Sequence, residues 1–512
     1  MRVPLTTSDF LDRAATVYAD RTGVVDEPAQ PAPSLGSVTY GELARRARSM
    51  AAGLDRLRVG EGERVAVVSH NAARLLELFY AVPSYGRVLV PINFRLKPDE
   101  VRYIVDHSGA SVLLVDPEVD QPLRDIAPRH RLVLGEESDA ALLETGREPR
   151  PWREPDEDAT ATINYTSGTT ARPKGVQLTH RNCWINAVTF GLHAGVSDRD
   201  VYLHTLPMFH ANGWGMLWTA AGLGAPQIVL RKVDGAEVLR RVEEHGVTYM
   251  CAAPAVISAV LDAAGGYSSA VPGRDRVRII CAGAPPPSRT VQRVQEELGW
   301  EFVQIYGLTE TAPLLTINRA RAEHDGRPAE ERAQLLSRAG APAVGVRLGI
   351  GDGGEVLARS NVVLAGYWDN KEATAEALDG GWFHTGDGGE IGDDGYLVIH
   401  DRKKDVIITG GENVSSIEVE DCIYQHPAVA ECAVIGVPDE KWGETIKALV
   451  VLSDGASATE AEIIAHCKGR LAGFKAPTSV EFPDSIPRTA TGKVQKFKLR
   501  EPYWAGRDRR VN

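Results

Sequence analysis

The strongest constraint on the fold is a regular alternation of short apolar runs with amphipathic stretches from about residue 61 onward. Residues 65–69 are predicted to form a buried strand, residues 72–85 a helix, and residues 88–93 a second strand. A helix over residues 99–107 and a strand over residues 111–116 continue the order. This strand–helix–strand order is typical of parallel sheets covered by helices.

The same alternation returns beyond residue 160 and places polar segments after predicted strands. The predicted strands cover residues 161–166, 201–206, 227–230, 247–252, 277–282 and 302–306. The polar segments, rich in Gly and Pro, cover residues 166–174, 207–215, 283–287 and 307–311. In open α/β sheets ligands bind outside the carboxyl ends of the strands. These four segments are therefore predicted to line one ligand site.

The pattern changes after residue 345, where shorter strands with Gly turns predict a small antiparallel or barrel-like region. A last block, residues 417–482, mixes helix and strand on a smaller scale. The predicted class is α/β, with a large N-terminal domain of parallel-rich sheets, residues 1–402. A small α+β C-terminal domain, residues 403–512, follows a hinge. Residues 117–158 are interpreted as a connection between sub-layers, and residues 318–338 as a surface excursion.

Length, charge and cysteine content limit the functional classes. A chain of 512 residues favours two or more domains. The net charge of −12 disfavours a general nucleic-acid binder, so a phosphate site must be built locally. The six cysteines form no C-x-x-C pair and are predicted to be buried, reduced thiols. With no signal core and no apolar run of membrane-spanning length, a cytoplasmic location is expected.

The most informative motif is the stretch Tyr-Thr-Ser-Gly-Thr-Thr-Ala-Arg-Pro-Lys-Gly at residues 165–175, directly after a predicted strand. Small residues let backbone N–H groups converge on an anion, and hydroxyls add donors. Lysine adds a compact positive charge. A flexible Ser/Thr/Gly surface loop is the alternative interpretation. The candidate phosphate contacts are Thr166, Ser167, Gly168, Thr169, Thr170 and Lys174.

This loop resembles the phosphate-loop signature of the acyl-adenylate-forming superfamily, which includes acyl-CoA synthetases, aryl-CoA ligases, peptide-synthetase adenylation domains and luciferases. The resemblance runs from about residue 38 to residue 499, with the motifs in family order. It is closest to medium-chain fatty acyl and aryl acyl-CoA ligases. Ala171 stands where the family usually has Gly, and we hypothesise that it slows loop closure or pyrophosphate release.

The resemblance assigns nucleotide contacts to the motifs Tyr-Gly-Leu-Thr-Glu and Thr-Gly-Asp. It implies that Tyr306 stacks on adenine, Thr309 contacts the α-phosphate and Glu310 helps to hold Mg²⁺. Asp387 then binds the ribose hydroxyls, and Arg402 contacts ribose or phosphate. Without the resemblance, a strand end before a capped helix and a solvated charged turn would explain these segments. Further nucleotide contacts implied in the same way are Gly283, Ala284, Pro285 and Gly307.

The resemblance also places the acyl pocket and the parts of a second step. His210 would position the substrate carboxylate rather than act as a base, because a carboxylate is already ionised at neutral pH. Lys493 would bridge this carboxylate and the α-phosphate, and Lys404 would be the hinge. Gly410 and Gly411 would face the active site during thioester formation. The pocket residues are His210, Asn212, Trp214, Ala282, Gly307 and Pro313, and the catalytic residues are Lys493, His210, Thr309 and Lys174.

The implied reaction activates a carboxylic acid with ATP as acyl-AMP, releases pyrophosphate, and transfers the acyl group to CoA. The implied cofactors are ATP, Mg²⁺ and CoA, and the partner is a small carboxylic acid. Transfer to a carrier protein, or use of the adenylate for a non-thioester product, stays open. So do a catalytically inactive nucleotide sensor, a homodimeric state and the identity of the acid.

Overall fold

The computed structural model describes residues 1–143, 146–166, 172–267, 270–283, 286–402, 405–409, 412–439, 441–489 and 494–505. Within these ranges no helix combines the length and the apolar character that crossing a lipid bilayer requires.

The strands are numbered in chain order. They are β1 Thr22–Val25, β2 Ser37–Thr39, β3 Arg64–Val68, β4 Val88–Ile92, β5 Ala110–Val115, β6 His130–Val133, β7 Thr160–Thr166, β8 Lys174–Thr179, β9 Tyr202–His204, β10 Gln227–Val229, β11 Tyr249–Ala252, β12 Arg278–Cys281, β13 Glu301–Tyr306, β14 Thr316–Asn318, β15 Ala341–Pro342, β16 Val346–Ile350, β17 Glu355–Ser360, β18 Gly366–Tyr367, β19 Phe383–Ile391, β20 Leu397–Arg402, β21 Ile407–Thr409, β22 Glu412–Val414, β23 Val429–Asp439, β24 Gly443–Leu452 and β25 Ser479–Glu481.

The α-helices follow the same convention. They are α1 Ser8–Val17, α2 Tyr40–Arg56, α3 Ala73–Ala81, α4 Pro98–Ser108, α5 Glu136–Leu142, α6 His180–Ala194, α7 Met216–Leu223, α8 Gly235–His245, α9 Pro254–Ala264, α10 Ser288–Arg293, α11 Ala329–Leu336, α12 Lys371–Ala377, α13 Ser416–Tyr424, α14 Glu460–Lys468 and α15 Lys496–Trp504.

Two large sheets form the body of the N-terminal part. The first has the order β18-β8-β7-β4-β3-β5-β6, and the second β15-β14-β13-β12-β11-β9-β10-β1-β2. Their central strands pair in parallel, whereas β8 and β14 run antiparallel to their neighbours. The predicted parallel-rich α/β class is confirmed, and the carboxyl ends of parallel strands meet at common edges.

Local sequence explains where helices begin and end. Thr179 caps α6, because its hydroxyl accepts a hydrogen bond from the backbone N–H of Asn182 at 3.1 Å. The helix predicted over residues 72–85 is shorter in the structure and ends at Ala81. Pro83 lacks the N–H that a continuing helix needs, so a separate 3₁₀ turn, Pro83–Tyr85, follows.

Two predictions about connecting segments need correction. Residues 117–158 are more than a connection, because they contain edge strand β6 and helix α5. Residues 318–338 are more than a surface excursion, because α11 buries Ala333 and Leu336 in the core of the second sheet. In both cases the element is short and partly exposed, so its sequence is rich in charged residues and does not show the apolar pattern of a buried element.

Two smaller sheets follow. The predicted antiparallel region is a four-stranded sheet of order β16-β17-β19-β20. Strands β21 to β25 then form another sheet with an apolar core of its own, which includes Ile407, Val434 and Ile463. The backbone N–H of Ser288 donates to Asp421 at 2.9 Å and links α10 to α13. The boundary after residue 402 stays a prediction.

The cysteines agree with the sequence-based prediction. All six are buried and unpaired: Cys183, Cys251, Cys281, Cys422, Cys432 and Cys467. Trp442, by contrast, is 49% exposed.

Candidate active site

Two predicted site residues, Lys174 and Glu310, contact the same tyrosine, Tyr367, where β8, β18 and the segment after β13 meet. The ammonium group of Lys174 lies 5.0 Å from the centre of the Tyr367 ring, close enough for a cation–π contact. The Tyr367 hydroxyl donates to a carboxylate oxygen of Glu310 at 3.1 Å. A lysine and a carboxylate thereby contact the same aromatic residue, one at its ring and the other at its hydroxyl.

Backbone pairing fixes this arrangement. Lys174 begins β8 and pairs with Thr166, the last residue of β7. Tyr367 pairs with Val176 on the other side of β8. The N–H of Leu364 donates to the backbone oxygen of Glu310 at 2.8 Å. The two large sheets are therefore joined by backbone contacts at this point.

A second polar contact connects the nine-stranded sheet to the four-stranded sheet. The hydroxyl of Tyr306, at the carboxyl end of β13, donates to Asp387 on β19 at 2.7 Å. Asp387 is only 7% exposed, and its backbone pairs with that of Arg402 on β20. A hydrogen bond to the charged form of a buried carboxylate keeps it oriented for accepting further donors.

The turn after Tyr306 is packed too closely for any side chain at Gly307. A Cβ atom there would lie 1.6 Å from the backbone oxygen of Pro313. The same oxygen accepts a hydrogen bond from the Thr311 hydroxyl at 2.7 Å. Thr309 begins the 3₁₀ turn between these residues and is 8% exposed. Gly307 is thus required by the close approach of two backbone segments.

The segment from Ala211 to Gly215 adopts a left-handed backbone at non-glycine residues. The φ angles are 44° at Ala211, 55° at Asn212 and 59° at Trp214. Such angles are unfavourable for a bulky residue and need support from the surroundings. Strain of this kind clusters at functional sites, which favours a role for this segment in binding.

The support comes from buried amide side chains. Asn212 donates to the Thr162 hydroxyl at 2.9 Å and accepts from Asn164 at 3.0 Å. Asn186 donates to the backbone oxygen of Trp214 at 3.1 Å. Asn212 is 2% exposed, so its side chain visibly serves to fix the segment to β7.

The remaining predicted pocket residues lie around an apolar cluster. Trp214 and Ala282 pack in the cluster that also contains Phe190, Met216 and Ile305. His210, which directly precedes the left-handed segment, is half-buried. Gly283 follows Ala282 with a φ of 100°. Their positions after β9 and β12 are those that the sequence predicted.

Several predicted residues fall outside the described ranges. They are Ser167, Gly168, Thr169, Thr170, Ala171, Ala284, Pro285, Lys404, Gly410, Gly411 and Lys493. Their proposed roles, and that of the Arg402 side chain, stay predictions.

Sequence reasoning missed Tyr367 and a buried network in the C-terminal part. Lys496 contacts Glu420 at 2.9 Å and also the Ser416 hydroxyl. Asp401, at the end of β20, accepts from the N–H of Ser416 at 3.1 Å. The only local signal was the charged string around residue 401, which gives no indication of a partner fifteen residues later.

Burial and charge shift the pKa values of these groups. Burial raises the pKa of Tyr367, and the neighbouring Glu310 carboxylate raises it further, so the hydroxyl remains a donor at neutral pH. Burial raises the pKa of Glu420, while Lys496 opposes that shift. Burial disfavours the charge on Lys496, but attraction to Glu420 and Asp401 outweighs it and raises the pKa of Lys496.

The donor set near Glu310 fits a magnesium ion shared with a phosphate ligand. Mg²⁺ is usually held by one or two carboxylates together with substrate phosphates and water. Among the described residues no group of three or more His, Cys, Asp or Glu side chains could hold a metal without such a ligand. Glu310, the carboxylate that accepts the Tyr367 hydroxyl bond, is the residue that would hold such an ion.

An α/β protein with a polar junction between its two large sheets and a smaller C-terminal part is the class that fold and site define. The model of the AMP-binding enzyme family matches residues 11–368, and that of the AMP-binding enzyme C-terminal domain matches residues 418–493. The chain belongs to the AMP-binding enzyme family.

Individual relatives agree with this assignment. A 2-methylpropanoate–CoA ligase of Humulus lupulus is 40% identical over 97% of this chain and 95% of its own length. A 4-hydroxybutyrate–CoA ligase of Metallosphaera sedula is 38% identical over 96% and 93%. The Bacillus subtilis O-succinylbenzoate-CoA synthetase structure with AMP has a TM-score of 0.81 and 28% identity, covering 96% of this chain and 98% of that one.

These matches confirm the predicted superfamily, the predicted fold and the predicted class of AMP-forming acid–thiol ligase. Use of ATP and CoA belongs to this class. The roles of the individual site residues are not tested by these matches and stay proposals.

Proposed function

We propose that this ligase activates a short-chain carboxylic acid through an acyl-adenylate and transfers the acyl group to CoA. The observation that carries the proposal is the junction at which Lys174, Tyr367 and Glu310 meet, next to the Tyr306–Asp387 pair. This junction offers a cation and a carboxylate for a metal-bound polyphosphate, and an aromatic ring with a carboxylate for a nucleoside.

In the first step the substrate carboxylate attacks the α-phosphorus of ATP in line, and pyrophosphate leaves. Lys174 stabilises negative charge on the phosphates, and Thr309 donates to the transferring group. Magnesium held by Glu310 would supply further charge neutralisation when bound. His210 orients the carboxylate, and Lys493 bridges it to the α-phosphate. Asp387 and Arg402 hold the ribose.

In the second step the CoA thiol attacks the acyl carbonyl, the thiol proton passes to solvent, and AMP leaves. The C-terminal domain, residues 403–512, would rotate about Lys404 between the steps. That movement would withdraw Lys493 and present Gly410 and Gly411. Loading of a carrier protein is the alternative for this step, and only the identity of the acceptor differs.

A short acid is favoured by two independent observations. Trp214, a predicted pocket residue, is 5% exposed and packs with Phe190, Met216 and Ile305, and a large indole in the pocket wall would favour a short acid. Both relatives described above are named for four-carbon acids, 2-methylpropanoate and 4-hydroxybutyrate. We therefore propose acids of about this size rather than long-chain fatty acids.

The test measures pyrophosphate release and acyl-CoA formation separately, with acetate, 2-methylpropanoate, 4-hydroxybutyrate, octanoate and benzoate. We expect release to depend on the acid, to be strongest for the four-carbon acids, and to yield acyl-CoA when CoA is added. Lys174→Met should lower kcat/KM at least a hundredfold. Lys232→Met is the matched control, since Lys232 is exposed and pairs with Glu118 on the surface. Acid-dependent release without any acyl-CoA would exclude CoA as the acceptor.

A cytoplasmic location and a homodimeric state are also proposed. Fractionation of cells that express the protein, and light scattering of the purified chain, test these two statements.

A further inference from the structure

A small cavity lies beside the start of β8, on the flank of the phosphate loop. Its volume is about 140 Å³. The described residues that line it are Tyr103, His107, Arg172, Pro173, Lys174, Trp368 and Asn370. It is thus formed by α4, the entry to β8 and the segment after β18.

The lining of this cavity favours an anion. Arg172 and Lys174 carry positive charge and His107 offers a ring nitrogen as a polar contact, whereas the described lining contains no Asp or Glu. The chain as a whole carries a net charge of −12, so this local excess of positive charge runs against the composition. Arginine and lysine side chains on a common concave surface are typical of phosphate recognition.

The walls are held in place before any ligand binds. The indole N–H of Trp368 donates to the backbone oxygen of His107 at 3.2 Å, and its backbone N–H donates to Gly175 at 2.7 Å. His107 Nδ1 lies 2.8 Å from the Tyr165 hydroxyl. The Arg172 guanidinium lies 5.4 Å from the centre of the Tyr103 ring, where it remains exposed. A prearranged site loses less entropy on binding.

Size and position restrict the ligand. Pockets for nucleotides or drug-sized molecules occupy roughly 300–1,000 Å³, so this cavity is too small for a nucleotide. Lys174 lines the cavity and also contacts Tyr367, which is bonded to Glu310. Lys174 therefore belongs both to the cavity and to the proposed nucleotide site.

We propose that this cavity is a holding site for inorganic pyrophosphate after its release from ATP, with Arg172 and His107 as its further ligands. The proposal rests on the function proposed above and adds a second position for the first product. Arg172 then controls how strongly pyrophosphate inhibits and reverses the first step. It does not contribute to the capture of ATP.

The experiment compares the full-length wild type with Arg172→Ala and Arg102→Ala. Arg102 lies on α4 beside the cavity residue Tyr103, but its guanidinium donates to the backbone oxygen of Asp125 at 3.1 Å, so Arg102→Ala is the matched control. Calorimetric titrations with pyrophosphate, orthophosphate and 3′-phosphoadenosine 5′-phosphate distinguish the possible sources of the phosphate group. Product inhibition by pyrophosphate and KM for ATP are measured on the same proteins.

We expect Arg172→Ala to weaken pyrophosphate binding and pyrophosphate inhibition roughly five- to tenfold, as is usual for loss of one exposed charged contact. The KM of Arg172→Ala for ATP should stay within about twofold of wild type. For Arg102→Ala, the pyrophosphate affinity, the pyrophosphate inhibition and KM for ATP should all stay within about twofold of wild type. Unchanged pyrophosphate affinity in Arg172→Ala would overturn the proposal. An increase in KM for ATP as large as the loss of pyrophosphate affinity would also overturn it. So would a variant that weakens only the binding of 3′-phosphoadenosine 5′-phosphate. Arg172-dependent pyrophosphate binding in a protein without acid-dependent turnover would support the site and refute the proposed function.

Discussion

At the scale of single residues, the proposed nucleotide site depends on side chains that orient one another. Tyr306 has two roles in this proposal, since its ring faces the base and its hydroxyl holds Asp387 at 2.7 Å. A carboxylate that is 7% exposed and loses one of its donors is less firmly oriented and less well stabilised. The effect of the hydroxyl can be separated from that of the ring by removing the oxygen alone.

Tyr306→Phe should raise KM for ATP at least about tenfold, because loss of one hydrogen bond to a charged group costs about 1.5–3 kcal/mol. The value of kcat should change less than twofold, since the bond is present in both ground and transition states. Initial rates at varied ATP check this. Tyr503→Phe is the control, because the Tyr503 hydroxyl donates to exposed Glu481. A fall in kcat at unchanged KM would mean that Asp387 acts on the reacting atoms.

Residue types could be predicted from the sequence here, but their mutual contacts could not. Lys174, Glu310, Tyr306 and Asp387 stand in recognisable motifs. Tyr367 stands in a plain Gly-Tyr-Trp string, and its position between Lys174 and Glu310 arises only from the pairing of β18 with β8. Asn212 was predicted in the substrate pocket, whereas its amide is seen bonded to Thr162 and Asn164.

At the scale of elements, strongly apolar strands were predictable and half-exposed ones were not. Strand β3 was predicted within one residue, because four of its five residues are buried. Strand β6, with the sequence His-Arg-Leu-Val, has no fully buried residue and no regular alternation. Its existence depends on pairing with β5 at the edge of the sheet, which is a long-range contact.

Helix α15 begins with Lys496, three residues after the proposed catalytic Lys493, so the contacts of Lys496 can affect the position of Lys493. Lys496 contacts Glu420 and Ser416 of α13. Asp401, near the end of β20, accepts a hydrogen bond from the backbone N–H of the same Ser416. The network therefore connects the first residue of α15 to α13 and to the end of β20. Lys496 is proposed as a positioning residue that acts through this connection.

Lys496→Met should destabilise the C-terminal part by about 3 kcal/mol, because it leaves the buried Glu420 carboxylate without a positively charged partner and with the backbone N–H of Val434 as its remaining donor. The double variant Lys496→Met/Glu420→Gln should recover part of this loss. Both should slow adenylation more than thioester formation from added acyl-adenylate, which a purely structural role would not do. Urea unfolding and the two partial reactions measure these effects. Lys447→Met, which removes an ion pair with Glu481, is the control and should cost less than about 1 kcal/mol.

At the scale of the whole molecule, the large N-terminal part buries histidines in surroundings that disfavour the protonated, charged form of the ring. His204 is 1% exposed, with one ring nitrogen 2.9 Å from Gln227 and the other without a partner among the described residues. His180 accepts from the backbone N–H of Thr7 at 3.2 Å. Burial lowers the pKa of His180 to about 4, and it lowers the pKa of His204 to about 4 as well.

These shifts predict how folding stability depends on pH. The unfolded chain protonates a histidine below pH 6.5, whereas the folded chain does so only near pH 4, so the unfolded state binds more protons between these values. Stability is therefore complete above pH 6.5 and is lost as the pH falls towards 4, by up to about 3 kcal/mol for each histidine. His204→Gln should reduce the slope of unfolding free energy against pH in this window, in urea titrations followed by tryptophan fluorescence. His400→Gln is the control, because His400 is 44% exposed, and it should keep the wild-type slope. If His204→Gln also keeps that slope, acid unfolding is governed by other groups, and the burial of His204 does not determine the acid limit of the fold.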